Sequence, residues 1–294
     1  MIRVERYKKI FGEDFEIPKL PEKKVWGIRV NTLKISVREF KRRFLCKYEH
    51  EKIPWVENGF WVYSNELLSK KMEHVLGYFF IQNASSMLPP IILEPKEDEE
   101  ILDLCAAPGG KTTHIAELLE NRGLVIANDV SNERLKALRG NLQRCGVVNV
   151  VVTKAKGQHF WKFGKKFDKI LVDAPCTATG HLSPRVLQTT SYSSIKMLSK
   201  LQKRLLSSAI KCLKKDGMIV YSTCSLEPEE NEEVVDYVCK KFGVEVEEID
   251  VRNELFLNGI REWEDKEYGE YVEKCLRIKP TEKTEGFFVC KLRK

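Results

Sequence analysis

The feature that most limits the possible fold is an alternation of apolar, strand-like runs with helical periods between residues 101 and 242. The apolar runs are short, whereas the segments between them repeat apolar residues every three or four positions. Such alternation is typical of a parallel sheet with helices on both faces. Strands are predicted at 101–105, 124–129, 147–152, 167–173, 218–222 and 287–292, and helices at 111–120, 132–145, 195–213 and 229–242. We therefore expect an α/β, Rossmann-like domain with a mostly parallel sheet over residues 86–294.

The first 85 residues have a different pattern, with short strand-like pieces at 26–31, 59–63 and 77–82 and one helical period at 37–45. This pattern predicts a small α+β domain over residues 1–85. Its helix carries four basic residues and several aromatic residues follow it: Arg38, Lys41, Arg42 and Arg43, then Trp55, Trp61 and Tyr63. Basic and aromatic side chains suit an RNA surface, but they equally suit a solvated helix over an aromatic core. Both interpretations stay open here.

Composition and cysteine usage exclude several classes of protein. Hydrophobic residues make up 43% and charged residues 32% of the chain, and no apolar run approaches the roughly 20 residues that span a bilayer. Nine cysteines, an odd number without a Cys-x-x-Cys pair, argue against a disulfide framework or a zinc ribbon. We expect a cytoplasmic protein with reduced thiols, no metal and no membrane partner. The net charge of +7 permits a polyanionic partner.

A turn of small residues, 105–110, separates the first predicted strand of the larger domain from its first helix. Small residues allow a ligand to approach the backbone and the helix N-terminus. A phosphate-binding P-loop is disfavoured, because Cys105 stands where its first glycine belongs and Pro108 has no N–H. The chain also lacks the third glycine of a dinucleotide-binding fingerprint. An adenosyl-type cofactor without phosphates remains, beside the plainer possibility of an ordinary tight turn.

Reactive residues follow the other predicted strands, where ligands of such sheets bind. Asp129 comes nineteen residues after Gly110, about the offset of a carboxylate that binds ribose hydroxyls. Arg134 would orient it, unless it is a plain surface arginine. Asp173 and Cys176 follow one later strand and Cys224 follows the next. Two thiols and a carboxylate thus converge on one crevice.

Three motifs together resemble a known family: 103–112 (DLCAAPGGKT), 173–176 (DAPC) and 222–232 (STCSLEPEENE). The resemblance is to the Nop/Sun family of S-adenosylmethionine-dependent RNA cytosine-5 methyltransferases. Segments 29–34 (RVNTLK), 82–86 (QNASS) and 285–288 (EGFF) fit the same family, so the similarity covers nearly the whole chain.

The resemblance implies S-adenosylmethionine as cofactor and a tRNA or rRNA as partner. It implies that Cys224 is the nucleophile, that Cys176 assists product release, that Asp173 hydrogen-bonds the target ring and that Lys111 lies close to it. The expected cofactor residues are Cys105, Ala106, Ala107, Pro108, Gly109, Gly110, Lys111, Asp129, Arg134 and Asp173. An ordinary thiol, with a pKa of about 8.5, is mostly protonated at neutral pH, so we predict a lowered pKa for Cys224.

Two segments depart from the family pattern. Where the family commonly has an acidic residue that reads adenine, segment 152–157 offers Lys154 and Lys156. After the Pro-Cys pair, this chain has Thr-Ala-Thr-Gly-His-Leu-Ser-Pro-Arg over 177–185. The alternative of methylation on the exocyclic amino group of cytosine therefore stays open. So does a non-catalytic RNA-binding scaffold, while a nucleoside-triphosphate hydrolase is disfavoured.

One long predicted helix carries basic residues at three- and four-residue intervals: Lys196, Lys200, Lys203 and Arg204. Such spacing places them on a shared helix face. They either track a phosphate backbone toward the crevice or form a solvated face.

Overall fold

Two β-sheets organise the computed structural model, which describes residues 4–19, 21–251 and 253–294. The α-helices are α1 Val4–Phe11, α2 Val37–Arg43, α3 Met72–Val75, α4 Leu88–Leu93, α5 Gly110–Leu118, α6 Asn132–Cys145, α7 Pro184–Thr189, α8 Tyr192–Cys212 and α9 Glu232–Phe242. The strands are β1 Val25–Val30, β2 Glu49–Lys52, β3 Gly59–Tyr63, β4 Phe79–Ile81, β5 Glu100–Asp103, β6 Leu124–Asp129, β7 Val150–Lys154, β8 Phe167–Asp173, β9 Leu213–Thr223, β10 Glu245–Glu247, β11 Phe256–Asn258, β12 Glu262–Trp263, β13 Lys266–Glu267, β14 Leu276–Ile278 and β15 Phe287–Arg293. Within those described ranges, no helix combines the length and the apolar character needed to cross a bilayer.

The larger sheet has the strand order β11-β14-β15-β9-β8-β5-β6-β7, with β10 also paired to β15. Strands β7, β6, β5, β8 and β9 are parallel, as the alternating pattern predicts, and the remaining strands are antiparallel. From β5 the chain runs outward through β6 and β7, then returns to β8 on the other side of β5. The gap between β5 and β8 is therefore the topological switch point, where ligands of such sheets bind.

The last strand brings the C-terminal segment to the switch-point side of the molecule. In the antiparallel pairing of β15 with β9, Phe288 stands opposite Thr223, the residue before Cys224. Strand β9 also begins at Leu213, five residues earlier than the sequence predicts, because an irregular pairing with β8 accommodates the polar residues 214–217. The result is a long strand that supports the loop after it.

The smaller sheet, in the order β2-β3-β1-β4, is entirely antiparallel and packs on α2. Trp55 and Trp61 are 8% and 6% exposed and belong to a core shared with the larger domain. The interpretation of these two side chains as platforms for RNA bases is therefore wrong, since burial leaves no face for a base. The basic residues of α2 are exposed, although Arg42 and Arg43 pair with Glu39.

A buried arginine joins the smaller sheet to the larger domain. Arg29 on β1 is 1% exposed, and its guanidinium binds Glu117 on α5 at 3.1 Å and Gln82 at 2.6 Å. It also donates to the Gly110 carbonyl at 2.9 Å. The start of α5, which follows the turn of small residues at 105–110, is thus anchored to the smaller sheet. A boundary between residues 85 and 86 remains our proposal.

Candidate active site

The turn between β5 and α5 is built around a glycine with a left-handed backbone. Gly109 has a φ of +105°, and a Cβ there would lie 2.7 Å from Leu138 Cδ1. The left-handed backbone favours glycine, and the Leu138 side chain of α6 would have to shift to make room for a Cβ. Behind the turn, Thr112 donates a hydrogen bond of 2.7 Å to Asp103 Oδ2. The backbone of Gly109 and the hydrogen bond from Thr112 to Asp103 therefore fix the conformation of the turn without a ligand.

A cleft of about 210 Å³ opens beside this turn, lined by Phe80, Ile81, Gln82, Ser86, Asp103, Cys105, Ala106, Ala107, Pro108, Gly110, Lys111 and Asp173. The second oxygen of Asp103, Oδ1, is buried and has no hydrogen-bond partner among the described residues. Burial raises the pKa of Asp103 to about 7. A ligand with an ammonium group would satisfy this oxygen and favour its charged form. The cleft therefore fits the amino-acid end of S-adenosylmethionine.

Asp129, at the end of β6, is fixed at the other end of the same turn. Its Oδ2 accepts a hydrogen bond of 3.3 Å from the Ala107 N–H and lies 3.3 Å from Arg134 Nη1. Arg134 also donates to the Ala107 carbonyl. The next residue, Val130, is 56% exposed and offers apolar surface beside the carboxylate. The structure thus brings Asp129 and Arg134 to the turn, as the sequence suggests. Val130 was not predicted, because only its position after a strand end points to the site.

Lys111 and Asp173 form an ion pair across the switch point. Lys111 Nζ lies 2.7 Å from Asp173 Oδ2 and donates to Ser86 Oγ at 2.7 Å. Ser222 Oγ donates to the other oxygen, Asp173 Oδ1, at 2.8 Å. Sequence reasoning missed the two serines, although Ser86 lies in the motif of residues 82–86 and Ser222 is the first residue of the motif of residues 222–232. Together these contacts set the direction of the Asp173 carboxylate.

Two cysteines meet where the loops after β8 and β9 come together. The sulfur atoms of Cys176 and Cys224 lie 3.3 Å apart. The pKa of Cys224 is lowered to about 6 by a hydrogen bond from the Cys176 thiol and by His181, against the opposing effects of burial and Asp173. The pKa of Cys176 is correspondingly raised, because Cys224 and burial both favour its protonated form. The direction for Cys224 is the one that the sequence argument predicts.

Glu230 ties the two cysteine loops together. Its carboxylate accepts hydrogen bonds from the Thr177 N–H at 3.1 Å, from the Ser225 hydroxyl and from Gln202 Nε2 at 2.9 Å. Thr177 follows Cys176 and Ser225 follows Cys224, so one side chain holds both loops. Sequence reasoning had no signal for this role beyond the position of Glu230 in the motif of residues 222–232.

Basic residues on α8 form an exposed face. Lys196, Lys200 and Arg204 line a shallow groove of about 500 Å³ together with Met197. Lys203, predicted on the same face, instead pairs with Glu233 at 2.7 Å. The face is therefore narrower than the sequence suggests, but three positive charges remain available to a polyanion.

The segment that departs from the family pattern near the cofactor lies at the end of β7. Lys154 and Lys156 are both exposed there. For residues 4–19, 21–251 and 253–294, the structure shows no cluster of three or more His, Cys, Asp or Glu side chains arranged to hold a metal ion.

Comparison with known proteins places these features in a family. Residues 90–293 match the family described as "16S rRNA methyltransferase RsmB/F", and residues 4–84 match the "N-terminal domain of 16S rRNA methyltransferase RsmF". Both halves of the chain therefore have counterparts in one kind of protein.

Individual relatives agree. The chain is 40% identical to the tRNA (cytosine(49)-C(5))-methyltransferase of Pyrococcus abyssi over 99% of this chain and 95% of that protein. It is also 40% identical to the ribosomal RNA small subunit methyltransferase F of Vibrio atlanticus, over 91% of this chain but only 57% of that protein. The crystal structure of NSun6 from Pyrococcus horikoshii with SFG, an S-adenosylmethionine analogue, superposes with a TM-score of 0.84 at 28% identity, over 99% of this chain and 97% of that one. The chain belongs to the RsmB/F, or Nop/Sun, family of RNA methyltransferases.

Proposed function

We propose that this chain methylates carbon 5 of cytosine in RNA, with S-adenosylmethionine as the methyl donor. The observation that carries the proposal is the pair of sulfur atoms 3.3 Å apart beside Asp173, which also lines the cofactor cleft. A reaction on the exocyclic amino group needs no thiol, whereas a reaction at carbon 5 does. The relatives named above as cytosine-C5 and small-subunit RNA methyltransferases support the same reading.

The need for a thiolate follows from the chemistry of the base. Carbon 5 of cytosine is a weak nucleophile, and addition of Cys224 Sγ to carbon 6 moves electron density onto carbon 5. The cofactor, when bound, supplies an electrophilic methyl group on a sulfonium. A Cys224 pKa of about 6 keeps the attacking sulfur ionised at neutral pH.

The remaining residues hold the base and complete the cycle. Asp173, directed by Lys111 and Ser222, hydrogen-bonds the pyrimidine ring as addition places charge on it. After methylation the carbon-5 proton passes to solvent water. The electron pair of that C–H bond restores the double bond between carbons 5 and 6 as the bond between carbon 6 and Cys224 breaks, so that the sulfur departs as a thiolate. Cys176, in contact with that sulfur, assists this release.

We further propose tRNA as the substrate class. The relative named as a tRNA (cytosine(49)-C(5))-methyltransferase is 40% identical over 99% of this chain, which supports this choice. The exposed Lys196, Lys200 and Arg204 offer contacts to a phosphate backbone. A base within a helix does not reach the thiols, so the target lies in a loop or is flipped out of a structured region.

Methyl transfer to defined transcripts tests the proposal. Purified protein is incubated with S-adenosylmethionine and either tRNA or rRNA transcripts, and the nucleosides are identified by mass spectrometry. We expect 5-methylcytidine in tRNA, lost in Cys224→Ala and retained in Cys46→Ala, which changes an exposed thiol on the smaller domain. N4-methylcytidine would replace the proposal by the amino-group reaction. Cofactor binding without transfer to any RNA would favour a scaffold.

A further inference from the structure

A short turn, Thr179–His181, lies directly against the backbone of the nucleophile. The Gly180 N–H donates to the Cys224 carbonyl at 2.9 Å, and the Gly180 carbonyl accepts from the Gly286 N–H at 2.9 Å. A Cβ at position 180 would lie 2.8 Å from the Cys224 oxygen and 2.0 Å from the Gly286 oxygen. Only glycine permits this approach, so the turn is fixed in register with both the Cys224 loop and the start of β15.

This turn ends at His181, whose side chain is 42% exposed and whose ring is oriented by a carboxylate. His181 Nδ1 lies 2.7 Å from Glu285 Oε1. The Glu285 backbone is held in turn, since its carbonyl accepts a hydrogen bond of 2.7 Å from Ser85 Oγ. The backbone hydrogen bond from Gly180 to the Cys224 carbonyl places the next residue, His181, beside the Cys224 loop. The Cys224 sulfur and Glu285 together raise the pKa of His181 to about 10.

Two other side chains near Cys224 also affect its ionisation. Cys176 donates its thiol hydrogen, and the Asp173 carboxylate opposes ionisation of Cys224. Glu230 binds the residue after Cys176, Thr177, and favours the protonated form of Cys176. Among these groups, His181 is the one that can carry a compensating positive charge.

We propose that His181, oriented by Glu285, is a positioning residue that holds Cys224 as a thiolate before the target base arrives. The proposal rests on the proposed function only in taking Cys224 as the nucleophile. A neighbouring imidazolium is a general way to stabilise a reactive thiolate. His181 stands in the segment 177–185, where this chain departs from the family pattern, so the pairing is argued for this chain alone.

Formation of the Cys224 thiolate and the His181 imidazolium needs no proton from outside the pair. The Cys224 S–H bond breaks and an N–H bond forms on His181, which gives a thiolate and an imidazolium paired with Glu285. When sulfur adds to carbon 6 it uses its own electron pair, and when it is expelled it leaves with the same pair. His181 therefore keeps its proton throughout, and no further co-reactant is required.

The test measures the ionisation of Cys224 without RNA or cofactor. The rate of alkylation of Cys224 by iodoacetamide is followed from pH 5 to 10 by peptide mass spectrometry. We expect the inflection near pH 6 in the unaltered protein and at least one pH unit higher in His181→Gln, which corresponds to about tenfold slower alkylation at low pH. Glu285→Gln, which retains the imidazole, should give a smaller shift in the same direction. His159→Gln, at an exposed histidine, is the matched control and should leave the profile unchanged.

An unaltered profile in a folded His181→Gln variant would overturn the proposal. Circular dichroism establishes the fold of each variant, and if His181→Gln does not fold, Glu285→Gln alone decides. The readout does not depend on methyl transfer. A shifted profile in a protein that methylates no RNA would support the pair and contradict the proposed function, whereas normal methylation with no shift would do the reverse.

Discussion

The sulfur atoms of Cys176 and Cys224 lie 3.3 Å apart although 48 positions of chain separate them. Their loops follow adjacent parallel strands, β8 and β9, and Glu230 binds both. Two thiols in contact divide their roles, because ionisation of one favours the protonated form of the other.

Replacing each cysteine should stop the reaction at a different stage. Cys224→Ala should form no covalent complex with RNA, because the attacking sulfur is gone. Cys176→Ala should still attack but release product slowly, so that a covalent protein–RNA complex accumulates on a denaturing gel. The same complex from both variants, or from neither, would contradict the assigned roles.

The rate of methyl transfer should follow the ionisation of Cys224. Because the thiolate is the reactive form and the pKa is lowered to about 6, kcat/KM should rise about tenfold per pH unit below 6 and level off above it. The measurement is a pH profile at low RNA concentration. An inflection near pH 8.5, the value of an ordinary thiol, would contradict the prediction.

Loss of the ion pair at the switch point should reduce catalysis more than binding. Lys111→Met removes the amino group that holds Asp173 and Ser86, so kcat should fall by about 10²- to 10³-fold. Lys165→Met, which removes a more exposed pairing with Glu100, is the control and should retain activity. Equal losses of activity in Lys111→Met and Lys165→Met would show that Lys111 has no specific role in catalysis.

Cofactor affinity should depend on the buried oxygen of Asp103. Asp103→Asn keeps a group that can accept from Thr112 but loses the charge that would meet an ammonium group. We expect S-adenosylmethionine to bind about 10- to 100-fold more weakly in calorimetry, as the loss of a charge-assisted hydrogen bond predicts. Asp98→Asn, at an exposed position, should bind normally. Unchanged affinity in Asp103→Asn would place the amino group elsewhere.

The buried pair between the smaller sheet and helix α5 should contribute to stability. Arg29→Met leaves Glu117 buried without its cation, so the free energy of unfolding in urea should fall by about 3–5 kcal/mol. The double variant Arg29→Met/Glu117→Leu should recover part of this loss, because no charge remains buried. Arg42→Met, which removes an exposed pair, should show no measurable change. A similar loss of stability in Arg29→Met and Arg42→Met would contradict this expectation.

Much of the fold was predictable because buried parallel strands and amphipathic helices leave strong local patterns. Strands β6 and β8 and helix α6 occupy the predicted residues. Strands β10 to β14 were not predicted, since each has only two or three residues and too short a period to recognise. The polar start of β9 was not predicted as a strand, because only its irregular pairing with β8 makes it one. The family and its methyltransferase fold, predicted from the motifs, are confirmed by the comparisons.

The sequence by itself determined the alternation that builds the sheet, the glycine turn, and the placement of Asp173, Cys176 and Cys224 after strand ends. These are local properties, because strand ends and tight turns depend on neighbouring residues. Only the tertiary structure decided that Trp55 belongs to the core and that His181 meets Glu285 beside Cys224. Such contacts join distant parts of the chain through strand pairing and packing, and no spacing along the sequence encodes the distance between them.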